Sequence, residues 1–102
     1  MDTHEQHVRE LIDKEREHQR QKWGGAVHDY RLTEDDWAQV LQEETLELGN
    51  AVVRGDADSV DHELVQAAAV CIAWLEARSR RRSYQFGNPH TSDGSEPRGA
   101  AG

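Results

Sequence analysis

A cluster of acidic residues stands out near the middle of the chain. Glu43, Glu44 and Glu47 lie within five positions of one another, and residues three or four apart share one face of a helix. Carboxylates held this close repel one another unless water or a cation neutralises them. Hard divalent cations such as Mg²⁺ prefer oxygen ligands of this kind. The spacing suits a cation site bordering the core, but it also suits an ordinary solvated acidic face.

A fourth carboxylate, Glu63, stands near the start of an alanine-rich, strongly apolar stretch, where a charge needs a partner. Glu47 lies eight residues before Gly55, and Glu63 lies eight residues after it. If two antiparallel helices meet at Gly55, both carboxylates lie at one height, about 12 Å from the connection. Glu43, Glu44, Glu47 and Glu63 are therefore predicted to converge on a metal site. The alternative is that Glu63 pairs with an arginine or faces solvent.

A second group of candidate ligand contacts, Lys22 and Trp23, precedes the first break in the sequence. Two glycines follow this pair, so it is expected at the end of a helix. Lys22 offers a charge to a phosphate, and Trp23 offers a surface on which a base can stack. Alternatively, Trp23 packs across the end of its own helix.

Three helices are predicted to position these residues. The first runs from Thr3 to about Lys22, and Thr3 with Gln6 has the spacing of a capping box. The second has Thr33 as its N-cap, followed by three acidic residues in the first turn, where the helix dipole favours negative charge. Gly55 is expected to end this second helix.

The third helix is predicted from Val60 to about Arg80, capped by Asp58 or Ser59. It follows a short connection, so it should run antiparallel to the second helix. Apolar residues surround its middle, and Cys71 is interpreted there as a small core residue. A helix that is apolar all round must be covered on all sides. Two other helices of one chain can scarcely cover it, so association of two copies is predicted.

The composition limits the size of the fold. The chain has 102 residues, of which 35% are hydrophobic, and its formal charge is −8. Apolar residues concentrate between positions 8 and 75, so residues 1–80 are predicted to form a helical domain and residues 81–102 a disordered tail. A core this small is marginal for a monomer, and a single cysteine allows no internal disulfide. Both points again favour an oligomer.

Charge and apolar content also exclude several functions. The longest apolar run, residues 67–75, is too short to span a membrane, and the charged N-terminal segment has no signal-peptide pattern. These features predict a cytoplasmic protein that binds no membrane. The negative net charge argues against binding of nucleic acid polymers, because duplex affinity needs excess positive charge.

The order and spacing of these features resemble the MazG-like all-α nucleoside triphosphate pyrophosphohydrolases. The pattern of that family is EExxE followed by ExxD, and here the two parts begin at Glu43 and Glu63. The resemblance covers about residues 5 to 78. Further similar segments are Arg20-Gln21-Lys22-Trp23-Gly24, His28, Trp37, residues 63–70 and residues 73–76.

The resemblance implies an antiparallel all-α bundle completed by dimerisation, as a homodimer or a dimer of dimers. It also implies hydrolysis of a nucleoside triphosphate to the monophosphate and pyrophosphate. By motif position, Glu43, Glu44, Glu47 and Glu63 would hold Mg²⁺, or Mn²⁺, against the triphosphate. One of these carboxylates could instead orient the attacking water.

One residue departs from the family pattern. Gln66 stands where ExxD has its aspartate. An amide oxygen can coordinate Mg²⁺ or hydrogen-bond a ligand, but it carries no charge and cannot act as a base. Gln66 is therefore grouped with Lys22 and Trp23 as a substrate-binding residue. The alternatives are a dimeric module that binds nucleotide with little or no turnover, and an acidic helical interaction protein without a ligand site.

Overall fold

The computed structural model describes residues 2–24 and 31–85, and this part of the chain contains helices and no strand. The helices are α1 (Thr3–Trp23), α2 (Glu34–Arg54) and α3 (Ala57–Gln85). The predicted all-α class is confirmed. Within the described ranges, none of the helices has the length and apolar content needed to cross a membrane. His28 and residues 86–102 of the predicted tail lie outside the described residues.

α1 begins with a capping box that lies one residue earlier than predicted. The Asp2 carboxylate accepts from the Glu5 backbone N–H at 2.8 Å, and the Glu5 carboxylate accepts from the Asp2 N–H at 3.2 Å. The expected pair of Thr3 and Gln6 is therefore wrong. Two adjacent pairs share the same spacing, and the charged carboxylate of Asp2 is the stronger acceptor.

Both ends of α2 are confirmed as predicted. The Thr33 hydroxyl accepts from the Asp36 N–H at 3.1 Å, and the Asp36 carboxylate accepts from the Thr33 N–H at 2.9 Å. The hydrogen bond that the Asp36 carboxylate accepts from the Thr33 backbone N–H is the largest cause that lowers the pKa of Asp36, and the Thr33 side chain lowers it further. The helix ends at Gly55, whose φ of +72° is a left-handed conformation that favours glycine.

α3 is longer at both ends than predicted. Asp56 caps it, rather than Asp58 or Ser59, because the Asp56 carboxylate accepts from the Ser59 N–H at 3.2 Å and from the Ser59 hydroxyl at 2.8 Å. At the other end the helix continues past Arg80 to Gln85, five residues into the predicted tail. Arginine has a high helix propensity, so the arginine-rich segment extends the helix instead of ending it.

α2 and α3 pack against each other in antiparallel order. Trp37 of α2 stacks on Trp74 of α3 with ring centroids 6.4 Å apart and planes 10° apart. Nearer the connection, Glu47 of α2 lies beside Glu63 of α3. Residue numbers rise along α2 as they fall along α3, which is the antiparallel arrangement expected from the short connection.

The core is small and lies mainly between α2 and α3. Its buried residues are Trp37, Val70, Ala73 and Ala77. Leu32, the residue before the N-cap Thr33, packs against this cluster, which includes Trp37, as in a hydrophobic staple. α1 is tied to α3 by buried Arg16, whose guanidinium donates to the Glu76 carboxylate at 2.8 Å.

Among residues 2–24 and 31–85, none covers the face of α3 opposite the core. Leu64 and Leu75 are 49% and 66% exposed, and Cys71 is exposed as well. The interpretation of Cys71 as a core residue is therefore wrong, because α1 and α2 cover only one side of α3. On α2, Leu46 and Val53 are also exposed.

Candidate metal centre between the second and third helices

Three carboxylates converge between α2 and α3. Glu44 and Glu47 of α2 and Glu63 of α3 each place one oxygen within 4.8 Å of the others. Glu44 and Glu47 are three residues apart, so they share the face of α2 that is turned to α3. Glu63 meets them because the two helices run antiparallel from Gly55. The structure thus brings together three of the four carboxylates whose convergence the spacing predicts.

Glu43 does not join this group. One step along a helix turns the side-chain direction by about 100°, so Glu43 and Glu44 point to different sides of α2. Glu43 is exposed, whereas Glu44 is half-buried against α3. The structure therefore leaves Glu43 outside the candidate site, although the sequence motif includes it.

Gln66 lies beside the carboxylates. In the orientation that satisfies both ends of its amide, the nitrogen donates to Glu44 at 3.0 Å and to Glu63 at 3.3 Å. The amide oxygen accepts from Nε2 of His62 at 3.1 Å. Gln66 therefore places a hydrogen-bond donor between two carboxylates, where the family pattern would place another negative charge. Coordination of a cation by its oxygen would require the amide to turn and break these bonds.

The environment of Glu44 favours its protonated form. Burial is the largest cause, followed by repulsion from Glu47, a hydrogen bond with Glu63 and the charges of Glu63 and Glu15, and together they raise the pKa of Glu44 to about 7. A hydrogen bond between two carboxyl groups requires a proton on one of them. In the metal-free protein at neutral pH, Glu44 is therefore about half protonated, and a divalent cation bound there would displace its proton.

α1 contributes an acidic residue that sequence analysis missed. Glu15 is half-buried and its charge helps to raise the pKa of Glu44. Gln19 donates to Glu15 at 3.5 Å and accepts from Arg16 at 3.2 Å. The spacing could have indicated this position, because Glu15 lies seven residues after Val8 and residues seven apart lie on one face of a helix. Val8 belongs to the apolar face of α1, and Glu15 continues that face.

An open groove of about 590 Å³ lies beside the carboxylates, between α1 and α3. Gln66 and His62 line it from α3, and Lys14 and His18 line it from α1. Glu15 and Asp61 line the same groove, so the cationic Lys14 lies among acidic side chains there. The hydrogen bond that His62 donates to the Gln66 amide places His62 next to the site.

Lys22 and Trp23 lie at the C-terminal end of α1. The Lys22 Nζ lies 6.0 Å from the centroid of the Trp23 ring, a distance at which a cation interacts with an aromatic face. Neither residue is among those that line the groove beside Gln66. The predicted phosphate and base contacts of these two residues stay predictions.

The donor set of the three carboxylates fits a small divalent cation. Ligand oxygens lie about 2.1 Å from Mg²⁺ in octahedral geometry, which separates neighbouring oxygens by about 3 Å. Oxygens already within 4.8 Å of one another reach that spacing through small side-chain rotations. Glu44, Glu47 and Glu63 would then leave coordination positions for water or a ligand phosphate.

Comparisons of the chain with protein-family models, curated proteins and solved structures found no match. The resemblance to MazG-like pyrophosphohydrolases therefore depends on the ordered motifs alone.

Proposed function

We propose that this protein is a Mg²⁺-dependent nucleoside triphosphate pyrophosphohydrolase that releases pyrophosphate and a nucleoside monophosphate. The observation that carries the proposal is the convergence of Glu44, Glu47 and Glu63 next to a groove that Gln66 lines. The same residues follow one another in the order of the two motifs described above. Mn²⁺ prefers similar oxygen ligands and is expected to substitute.

The residues of the site have separable roles in this proposal. Glu44, Glu47 and Glu63 hold the divalent ion, which when bound polarises the phosphoryl group and lowers the pKa of water. Lys14 in the groove wall offers a positive charge to an anionic ligand, and the bound cation would have to offset the charges of Glu15 and Asp61 in the same wall. Gln66 orients Glu44 and Glu63 by donating to both, and His62 orients the amide of Gln66.

A nucleotide-binding module with little turnover is the second candidate. It is favoured by the neutral Gln66, which supplies a hydrogen-bond donor where the family pattern supplies a carboxylate. One negative charge fewer weakens the hold on the cation and leaves one group fewer that can act as a base.

We further propose that the working unit is a homodimer or a dimer of dimers. The support is physical: the chain buries a small core and leaves large apolar side chains of α2 and α3 exposed. Exposed apolar surface of this kind is commonly covered by association.

The deciding experiment measures pyrophosphate release from a panel of ribo- and deoxyribonucleoside triphosphates, with Mg²⁺, with Mn²⁺ and with chelator. We expect metal-dependent release that Glu44→Gln abolishes. Glu43→Gln is the matched control, because it is the same substitution one position away on an exposed carboxylate, and it should retain the wild-type rate.

The other outcomes separate the alternatives. Metal-dependent nucleotide binding by calorimetry without pyrophosphate release would support the binding module. If neither Mg²⁺ nor nucleotide binds, both proposals fail and the acidic interaction protein is left. Equal loss of activity in the two glutamine variants would contradict the assignment of the site to Glu44 rather than Glu43.

A further inference from the structure

The uncovered face of α3 carries a regular pattern of residues. Successive members are alternately three and four positions apart, which keeps them on one side of a helix. We call this set the outer stripe, and it consists of Asp61, Leu64, Ala68, Cys71, Leu75 and Arg78. Every member is exposed or half-buried, whereas the opposite side of α3 carries the buried residues of the core.

The outer stripe is symmetric about its middle. Its spacings are three, four, three, four and three, so they read the same in both directions. The residue types follow the same symmetry. Leu64 and Leu75 lie at equal distances from the centre, and the small residues Ala68 and Cys71 lie on either side of it. The two ends carry opposite charges, Asp61 at one and Arg78 at the other.

We propose that the outer stripe is the contact surface between two copies of this chain. In this arrangement two α3 helices pack antiparallel about a two-fold axis that lies midway between positions 69 and 70. Leu64 then meets Leu75 of the second copy, and Ala68 meets Cys71 of the second copy. Such a two-fold contact uses the same patch on both subunits, which requires a self-complementary surface.

The charges at the ends argue for a second copy in the antiparallel orientation. Reversal sets Asp61 opposite Arg78 of the second copy at both ends of the contact, whereas parallel pairing would set like charges together. Arg78 donates to Glu34 of its own chain through Nη1. The guanidinium has further N–H donors that can face a carboxylate.

The small residues at the centre determine how closely the helices approach. Ala68 and Cys71 carry short side chains, so the helix axes can come to the lower end of the usual range, about 8 Å. The leucines on either side bury apolar surface that is open to solvent in the single chain. This inference concerns association only, so its test is independent of the proposed activity.

Oxidation of the native cysteine tests the register. The two Cys71 Cα atoms would be offset by about 4.5 Å along the helix axes, and at close approach this lies within the range that a disulfide spans. Diamide, which accepts two electrons and two protons from two thiols, should therefore give a covalent dimer on a non-reducing gel. The control is Cys71→Ser combined with Val53→Cys, because Val53 is 88% exposed on α2 and should cross-link far more slowly.

A second variant tests the surface without chemistry at sulfur. Ala68→Arg places two unpaired charges near the axis, and we expect the dimer dissociation constant in sedimentation equilibrium to rise by at least about 100-fold. Val53→Arg is the matched control and should leave that constant unchanged. Circular dichroism at the same concentrations shows whether each variant is folded.

Three results would overturn the inference. They are a wild-type chain that is monomeric at all concentrations, a dimer that diamide does not cross-link at Cys71, and a dimer that a folded Ala68→Arg variant keeps at full affinity. If Ala68→Arg does not fold, the cross-linking of the wild-type chain decides the question. All measurements are made without metal or nucleotide, so failure of the proposed activity does not affect them.

Discussion

Two adjacent glutamates show how strongly position on a helix controls the chemistry of a side chain. Glu43 and Glu44 have the same functional group, but only Glu44 faces α3, where burial and three neighbouring acids raise its pKa to about 7. Glu43 points to solvent and lies outside the converging carboxylates. The direction of a residue, and not its type, therefore decides which glutamate belongs to the candidate site.

The raised pKa of Glu44 predicts how stability depends on pH in the metal-free protein. Its pKa rises from 4.5 to about 7 on folding, so the folded state favours the proton. This contribution is fully present below pH 4.5 and is lost as the pH rises through about 7. At pH 8, Glu44→Gln should raise the free energy of unfolding by about 1 kcal/mol, since the partly exposed group is screened by solvent.

Urea denaturation with chelator at pH 5 and pH 8 measures this effect. Glu43→Gln should change the free energy of unfolding little at either pH. Equal gains from both substitutions would show that general charge repulsion, rather than the local environment of Glu44, raises the cost of ionisation. Added Mg²⁺ should stabilise the wild-type chain and not Glu44→Gln.

Replacement of Gln66 tests the departure from the family pattern. Gln66→Asp adds a carboxylate and removes the amide that donates to Glu44 and Glu63. We expect lower stability without metal at pH 8, and Mg²⁺ binding that is tighter by about tenfold because the site gains a charge. Isothermal titration calorimetry measures the affinity, with Gln39→Asp on an exposed position of α2 as the control. Unchanged affinity would show that position 66 does not contribute to cation binding.

At the scale of helices, local hydrogen bonds at the ends determine where each element lies. α2 begins after the capping box of Thr33 and ends at the left-handed Gly55. These two ends determine how far the acidic cluster lies from the connection between α2 and α3. Asp56 starts α3 directly after Gly55. The short connection leaves no freedom to slide one helix past the other.

Loss of the N-cap should therefore be measurable. Thr33→Ala removes the acceptor for the Asp36 N–H and should lower the free energy of unfolding by about 1 kcal/mol. Thr45→Ala is the matched control, because it changes the same residue type on an exposed position inside α2. Chemical denaturation compares the two. A loss in Thr45→Ala as large as that in Thr33→Ala would contradict the capping explanation.

At the scale of the whole molecule, the chain has more apolar surface than its three described helices bury. The core is confined to one side of α3, while leucines on the other side stay exposed. A single copy of this size gains little from hydrophobic burial. The proposed association of copies would supply the missing burial without adding residues.

Thermal stability should therefore depend on protein concentration. Dimerisation stabilises the folded state by mass action, so the melting temperature of the wild-type chain should rise over a hundredfold range of concentration. Ala68→Arg should show a lower melting temperature that is independent of concentration. Scanning fluorimetry and calorimetry together cover the range, and a constant melting temperature in the wild type would contradict association.

Local interactions explain what could be predicted from the sequence. The helical class, both ends of α2 and the equal height of Glu47 and Glu63 follow from capping residues, glycine and a constant rise per residue. These features depend on neighbours within a few positions, so spacing predicts them. Where two adjacent local patterns competed, as at the start of α1, spacing could not choose between them.

The sequence by itself determined three helices, an acidic cluster on the second helix and a glutamate at the same height on the third. Only the tertiary structure decided that Glu43 is excluded, that Glu15 approaches from α1 and that Cys71 is exposed. Local patterns determine where a helix begins and ends, and therefore how far each residue lies along its axis. The rotation of the helix about that axis is determined by packing against segments distant in sequence. That rotation selects which side chains meet between the helices and which stay exposed.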